Sequence, residues 1–209
     1  MIDEGYTKFI IDWTDRTPVD HPAIDELDRW RRPLFDAGLV GRYEHEGIGY
    51  GNISVRQRGS REFLVSATQT GHLSSTGPGH YALVSAWDID ANRVTCRGAL
   101  QASSESLTHA AIYELDGAIC AVVHVHDLRL WRQLKGFAPT TAAEVAYGTP
   151  EMAREFKRLW RETGFAESGI AAMAGHESGI VSIGSTLAEA ASRVLRLHDR
   201  SHEKKEVVR

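Results

Sequence analysis

The sequence SSESLTHAAIYELDGAICAVVHVHD, residues 103–127, contains the two elements around which the chain is organised. Its first half predicts a helix, because apolar residues recur at helical spacing from Leu107 to Leu115 and Asp116-Gly117 ends the pattern. Its second half, residues 119–125, is an apolar run with the length of a buried strand. The tight turn between them predicts that the strand runs back antiparallel to the helix.

His124 and His126 close the predicted strand and are candidate metal ligands. Side chains on a strand alternate between its faces, so the two imidazoles point the same way and can share one ion. Glu105 lies at the start of the helix, and about 11 helical residues cover the same length as about 6 strand residues. The carboxylate and the imidazoles are therefore expected to meet. Taken singly, a core histidine and a capping carboxylate are the simpler interpretations, but the combination favours a metal site.

The same stretch carries a resemblance to a known family. Ser103-Ser104-Glu105, followed by Leu107, by His109 to Tyr113 and by the His-x-His pair, resembles the signature of the class II aldolase/adducin family, which includes fuculose-phosphate aldolase. The resemblance implies an α/β, three-layer fold with a central, mostly antiparallel sheet flanked by helices. It implies that residues 1–209 form a single domain of this type, with residues 1–20 as a candidate N-terminal arm.

Five residues are predicted to bind a substrate phosphate. Ser103 or Ser104 is a suitable helix N-cap, and uncovered amides with two hydroxyls at a helix N-terminus bind phosphate readily. By resemblance, Asn52 takes the place of the family's phosphate-binding asparagine, and Thr70 and Gly71 match its second phosphate loop. Alone, each of these loops is more simply a hairpin or a plain connection. Together they favour a phosphorylated substrate.

The third metal ligand is the least regular part of the pattern. The family usually has a histidine directly before a glycine, but here Ser178 precedes Gly179 and His176 lies two residues upstream. On a strand a displacement of two residues keeps the same face, so we expect His176 to be the third ligand. The alternatives are that His176 and Glu177 form a turn and leave a two-histidine site, or that another histidine substitutes. The candidates for substitution are His45, His72 and His80.

The resemblance implies a metal-dependent lyase. Zinc suits three imidazoles, with manganese, cobalt and iron as alternatives. Glu105 would act as acid/base in the reversible aldol cleavage of a small ketose phosphate, through a metal-stabilised enediolate, to dihydroxyacetone phosphate and an aldehyde. A sugar-phosphate 4-epimerase, a dehydratase and a non-catalytic adducin-like interaction domain are alternatives. The family's proton-donor tyrosine has no clear match, and Tyr147 is the nearest candidate at a different position.

Composition limits the class of protein and its partners. The chain has 209 residues, of which 42% are hydrophobic and 25% charged, as in ordinary globular proteins, and a net charge of -4 gives no reason to expect nucleic acid or an anionic membrane as partner. No apolar run is long enough to span a bilayer. We expect a cytoplasmic protein with Cys96 and Cys120 as buried thiols, and the family suggests a homotetramer.

Overall fold

A central sheet organises the computed structural model of the protein, which describes residues 6–203. Its strands are β1 (Ile10–Asp15), β2 (Gly41–Tyr43), β3 (Ile48–Tyr50), β4 (Asn52–Val55), β5 (Phe63–Ser66), β6 (Tyr81–Asp88), β7 (Arg93–Arg97), β8 (Ala121–His126), β9 (Ile170–Ala172) and β10 (Gly179–Gly184). The helices are α1 (Ile24–Asp36), α2 (Ser106–Tyr113), α3 (Leu128–Leu134), α4 (Pro150–Glu162), α5 (Phe165–Ser168) and α6 (Leu187–Glu203). The first five residues of the candidate arm, and the charged tail with Lys204 and Lys205, lie outside the described residues.

The sheet has eight strands in the order β1-β7-β6-β5-β4-β8-β10-β9. Every neighbouring pair is antiparallel except β1 with β7, which is parallel. Strands β2 and β3 form a separate hairpin. The predicted α/β fold with a mostly antiparallel sheet is confirmed, and residues 10–15 of the candidate arm form one of its two edge strands.

Helices cover both faces of the sheet, and β8 supplies side chains to both cores. Val122 packs in the core formed with α2, α4 and α5, whereas Val123 and Val125 pack in the core formed with α1, α3 and α6. Because side chains alternate along a strand, His124 and His126 lie on the same face as Val122. The histidine pair therefore points toward the layer that contains α2.

Helix α2 is shorter than the sequence pattern predicts and lies in the centre of its layer. It ends at Tyr113, before Leu115, and all eight of its residues are buried, as expected for a helix without a polar face. The prediction that Ser103 or Ser104 caps it is wrong: the N-cap residue is Glu105. The Ser103 hydroxyl accepts a hydrogen bond from the Glu105 amide at 3.2 Å, so the serines form the turn that leads into the helix.

The prediction that His176 lies on a strand is also wrong. His176 lies in the turn between β9 and β10, where Ser178 adopts a left-handed conformation with φ of 65°. Gly175 permits this turn, because a Cβ there would collide with the carbonyl oxygen of Val145 and lie 3.0 Å from that of Ala143. A turn thus brings His176 to the cluster despite the two-residue displacement.

Two further observations concern the predictions drawn from composition. None of the helices within residues 6–203 has the length and apolarity needed to cross a membrane. Both cysteines are free thiols; Cys96 is buried as predicted, whereas Cys120 is partly exposed.

We predict that Gly175→Ala shifts the turn that carries His176. The added methyl group meets fixed backbone, so the free energy of unfolding should fall by about 1–3 kcal/mol in urea denaturation. Gly117→Ala is the matched control, because a Cβ at Gly117 meets no atom within 4 Å. Equal stability of the two variants would contradict this account of the turn.

Candidate functional site

Three buried imidazoles converge at the end of β8. His124, His126 and His176 each offer a ring nitrogen, and these atoms all lie within 4.8 Å of one another. The Nε2 atoms of His124 and His126 are 3.1 Å apart. Two ligand atoms on a tetrahedral ion at bond lengths of about 2.0–2.1 Å would be separated by roughly 3.3 Å, so the observed spacing suits a shared ion. His45 and His72 are exposed, and neither they nor His80 belong to this cluster.

Backbone and hydroxyl groups fix the orientation of two of the rings. The Nδ1 atom of His124 lies 3.2 Å from the Ile180 carbonyl oxygen, so it carries the proton and leaves the Nε2 lone pair for an ion. The Nδ1 atom of His126 lies 3.0 Å from both the Tyr43 hydroxyl and the Ser178 hydroxyl. Ser178, which stands where the family has a histidine, thus contacts a candidate ligand instead of supplying one.

Glu105 lies beside the three rings. Its Oε1 atom is 3.6 Å from His176 Nε2 and 3.9 Å from His124 Nε2, and its side chain is 1% exposed. Neither carboxylate oxygen accepts a hydrogen bond from any residue in the described part of the chain. Burial raises the pKa of Glu105 to about 8, and the nearby Thr108 hydroxyl and the charge of Lys8 partly offset this effect.

The histidines are neutral in this environment. Burial lowers the pKa of His124 to about 4 and holds the pKa values of His126 and His176 well below the usual value. A neutral imidazole is the form that binds metal. Three neutral nitrogen donors next to a buried carboxylate without a hydrogen bond therefore fit a divalent cation.

One wall of the site comes from the N-terminal segment. The Tyr147 ring packs 4.5 Å from the His176 ring, and the Lys8 ammonium lies 3.9 Å above the Tyr147 ring. The Tyr147 hydroxyl donates to the Tyr6 carbonyl at 3.2 Å and accepts from the Tyr6 amide at 3.1 Å. The hydroxyl of the tyrosine nearest to the family's proton donor is thus bonded to backbone, and its ring supports His176.

The five predicted phosphate-binding residues line a single small, polar pocket. They are Asn52, Thr70, Gly71, Ser103 and Ser104. Asn52 lies directly opposite His124 in the β4–β8 ladder, so this pocket adjoins the histidine cluster. The buried amide oxygen of Asn52 has no hydrogen-bond partner among residues 6–203. The pocket offers neutral polar groups that remain available to a ligand.

Arg31 is a site residue that the sequence analysis missed. It is 1% exposed, and its guanidinium donates to the carbonyl oxygens of Thr70 at 2.8 Å, Gly71 at 3.0 Å and Leu73. It forms no ion pair with a carboxylate within the described residues. Its position in the sequence could have indicated its burial. At helical spacing, residue 31 lies on the same helix face as the buried residues Ile24, Leu27 and Leu34.

Comparisons with known proteins agree with this architecture. A sequence profile of the family described as Class II Aldolase and Adducin N-terminal domain matches residues 37–202. The l-fuculose-1-phosphate aldolase from Thermus thermophilus superposes with a TM-score of 0.61 at 20% identity, covering 87% of this chain and 91% of that one. A sugar-phosphate aldolase from Thermotoga maritima gives 0.64 at 17% identity, covering 87% and 92%. No curated protein matches the sequence significantly. At these identities the structural likeness establishes the fold.

We predict that Glu105→Gln changes how the stability of the metal-free protein depends on pH. The native carboxyl keeps its proton up to about pH 8, whereas the unfolded chain releases it near 4.5. Between these values the native carboxyl holds a proton that the unfolded chain has lost. The free energy of unfolding therefore falls as pH rises. Glutamine cannot ionise, and the variant should therefore gain stability relative to the parent from pH 5 to about pH 8.

The measurement is urea denaturation in the presence of a chelator at each pH. Titration of the histidines is common to both proteins and cancels in the difference. The exposed Glu62→Gln is the control. A difference between Glu105→Gln and the parent that does not change with pH would refute the assignment of a raised pKa.

Proposed function

The chain belongs to the class II aldolase and adducin family, and from this premise we propose that it is a metal-dependent lyase. The proposed reaction is the reversible aldol cleavage of a small ketose phosphate to dihydroxyacetone phosphate and an aldehyde. The observation that carries the proposal is the convergence of three neutral imidazoles on the buried carboxylate of Glu105. A polar pocket of suitable chemistry for phosphate adjoins this cluster.

His124, His126 and His176 would hold the metal ion, and Glu105 would move the proton. A bound divalent ion supplies Lewis-acid stabilisation of the negative charge that develops on the substrate's carbonyl oxygen. Three nitrogen donors favour zinc, and the same set accepts manganese, cobalt or iron. Burial raises the pKa of Glu105 in the metal-free protein, and the nearby ion would lower it again, so this carboxyl is suited to give and take a proton at the carbon beside the carbonyl.

Arg31 supports the proposal that the substrate carries a phosphate. Its buried cation lies behind the backbone of Thr70 and Gly71, which line the pocket. Burying an arginine is costly, and its contacts to carbonyl oxygens and the nearby charge of Asp28 offset only part of that cost. A phosphate in the pocket would place negative charge next to this residue. We infer that Arg31 positions the loop and complements the charge of the phosphate.

A purely structural domain explains the site less well. A scaffold gains nothing from a buried carboxylate without hydrogen bonds, whereas active sites commonly hold groups with strongly shifted pKa values. Epimerisation and dehydration use the same groups, so product analysis on a panel of ketose phosphates separates them from cleavage.

A homotetramer and a cytoplasmic location belong to the same proposal and rest on the family resemblance and on the composition.

We predict that Glu105→Gln separates catalysis from metal binding. The variant should keep the metal, because glutamine occupies the same volume and the imidazoles are unchanged. Its turnover in cleavage of ketose phosphates should fall by about 10² or more, because the acid/base group is lost. His124→Ala should lose the metal itself, measured by elemental analysis after dialysis.

Unphosphorylated ketoses serve as the substrate control, and the exposed Glu62→Gln serves as the protein control. Unchanged turnover of Glu105→Gln would remove this residue from the mechanism. Full metal content in His124→Ala would overturn the ligand assignment.

We predict that Arg31→Met weakens phosphate binding without removing the metal. Loss of the cation and of its three carbonyl contacts should raise the Kd for inorganic phosphate roughly tenfold or more, which calorimetry measures directly. Arg32→Met changes an exposed arginine next in sequence and should leave the Kd unchanged.

If Arg31→Met does not fold, Arg31→Lys provides the test, since it keeps the charge but cannot reproduce the fork of hydrogen bonds. A folded variant at Arg31 with the parent's phosphate affinity would refute the proposed role.

A further inference from the structure

A second group of potential metal ligands lies where the last helix meets the end of β8. His198 and His202 are four residues apart on α6, and their ring centroids are 4.2 Å apart. The Asp127 Oδ2 atom lies 2.7 Å from His198 Nδ1 and 3.8 Å from His202 Nδ1. The ligand atoms of the three residues lie within 4.8 Å of one another. None of these residues belongs to the three-histidine cluster.

We propose that Asp127, His198 and His202 bind a divalent transition-metal ion, separately from the site formed by the other three histidines. Two ligands of one tetrahedral ion would lie roughly 3.3 Å apart at bond lengths of about 2.0–2.2 Å. The two observed distances from Asp127 bracket this value. Small side-chain movements on one helix face therefore convert a hydrogen-bonded cluster into a coordination site.

The Asp127 carboxylate is already held in place for this role. Its Oδ1 atom accepts hydrogen bonds from the amides of Arg129 at 2.9 Å and Leu130 at 3.0 Å, because Asp127 is the N-cap of α3. These bonds fix the carboxylate plane and direct Oδ2 toward the histidines. Groups outside the coordination sphere that orient a ligand in this way are a regular feature of metal sites.

The two imidazoles differ in what ion binding requires of them. The hydrogen bond between His198 Nδ1 and Asp127 Oδ2 is the contact that an ion would replace. His202 Nδ1 lies 3.0 Å from the His198 carbonyl oxygen and 2.8 Å from the Ser201 hydroxyl, and it would give up both contacts. The side chain of His202 is 46% exposed and that of Asp127 is 7% exposed, so the ion would have access from solvent and room for a water ligand.

The donor set selects the kind of ion. Two imidazoles and one carboxylate favour zinc, copper, nickel or cobalt, whereas magnesium and calcium prefer oxygen ligands. An ion bound here would join α6 to Asp127, which is the N-cap of α3 and directly follows His126. We expect it to raise the thermal stability of the protein, because it binds only the folded arrangement of the two elements.

The experiment is equilibrium dialysis of the full chain against zinc, followed by elemental analysis. The parent protein should bind two equivalents of zinc, and His198→Ala/His202→Ala should bind one. His72→Ala, which removes an exposed histidine elsewhere, should bind two. His124→Ala/His126→Ala should keep the second equivalent, so a failure of the first site is distinguished from a failure of this one.

The change in melting temperature on addition of zinc provides a second readout. In the His124→Ala/His126→Ala background, zinc should still raise the melting temperature, and adding the His198→Ala/His202→Ala changes should abolish that shift. If the histidines of α6 merely hold the helix by hydrogen bonds, zinc content will be the same with and without them. That result would overturn the proposal, and His198→Gln/His202→Gln provides the same comparison in a folded protein if the alanine variant is unstable.

Discussion

The site depends on one constraint, the free-energy cost of burying the ionised carboxylate of Glu105. A carboxylate enclosed in the protein without hydrogen bonds is poorly solvated, and its pKa rises to about 8 as a result. The same burial keeps the neighbouring imidazoles neutral. A group of neutral bases around a carboxyl that ionises with difficulty is unfavourable on its own. It becomes favourable when a divalent cation occupies the space between them, because the cation interacts well with both.

The two halves of the proposed site are linked through the backbone. Ser103 and Ser104 line the proposed phosphate pocket and lead directly into Glu105, while Asn52 lies opposite His124 in the sheet. A shift in the register of β4 against β8 by one residue would turn Asn52 to the other face. The distance between the phosphate pocket and the histidine cluster is thus set by strand pairing and by one tight turn. Rigid elements of this kind suit a site that must hold both ends of a small substrate.

The sequence predicted those parts of the site that follow from regular periodicity. The positions of His124 and His126 follow from the alternation of a strand. The meeting with Glu105 was expected from a helix of about 11 residues, and it occurs although α2 has only eight. His176 reaches the cluster from a turn, and the left-handed conformation of Ser178 that makes this possible has no signature in a non-glycine residue. Arg31 and Tyr43 contact the site only through tertiary packing, which no local pattern encodes.

The wall formed by Tyr6, Lys8 and Tyr147 lies partly outside the residues that the family profile matches. The family profile covers residues 37–202, whereas Tyr6 and Lys8 lie upstream of it. Yet the Tyr6 backbone holds the Tyr147 hydroxyl, and the Lys8 charge lowers the pKa values of both Glu105 and His176. The electrostatic environment of the proposed acid/base group therefore depends partly on a segment outside the matched region. The matched region contains the histidine cluster and the proposed phosphate pocket, and the N-terminal segment outside it adjusts the proton affinity of Glu105.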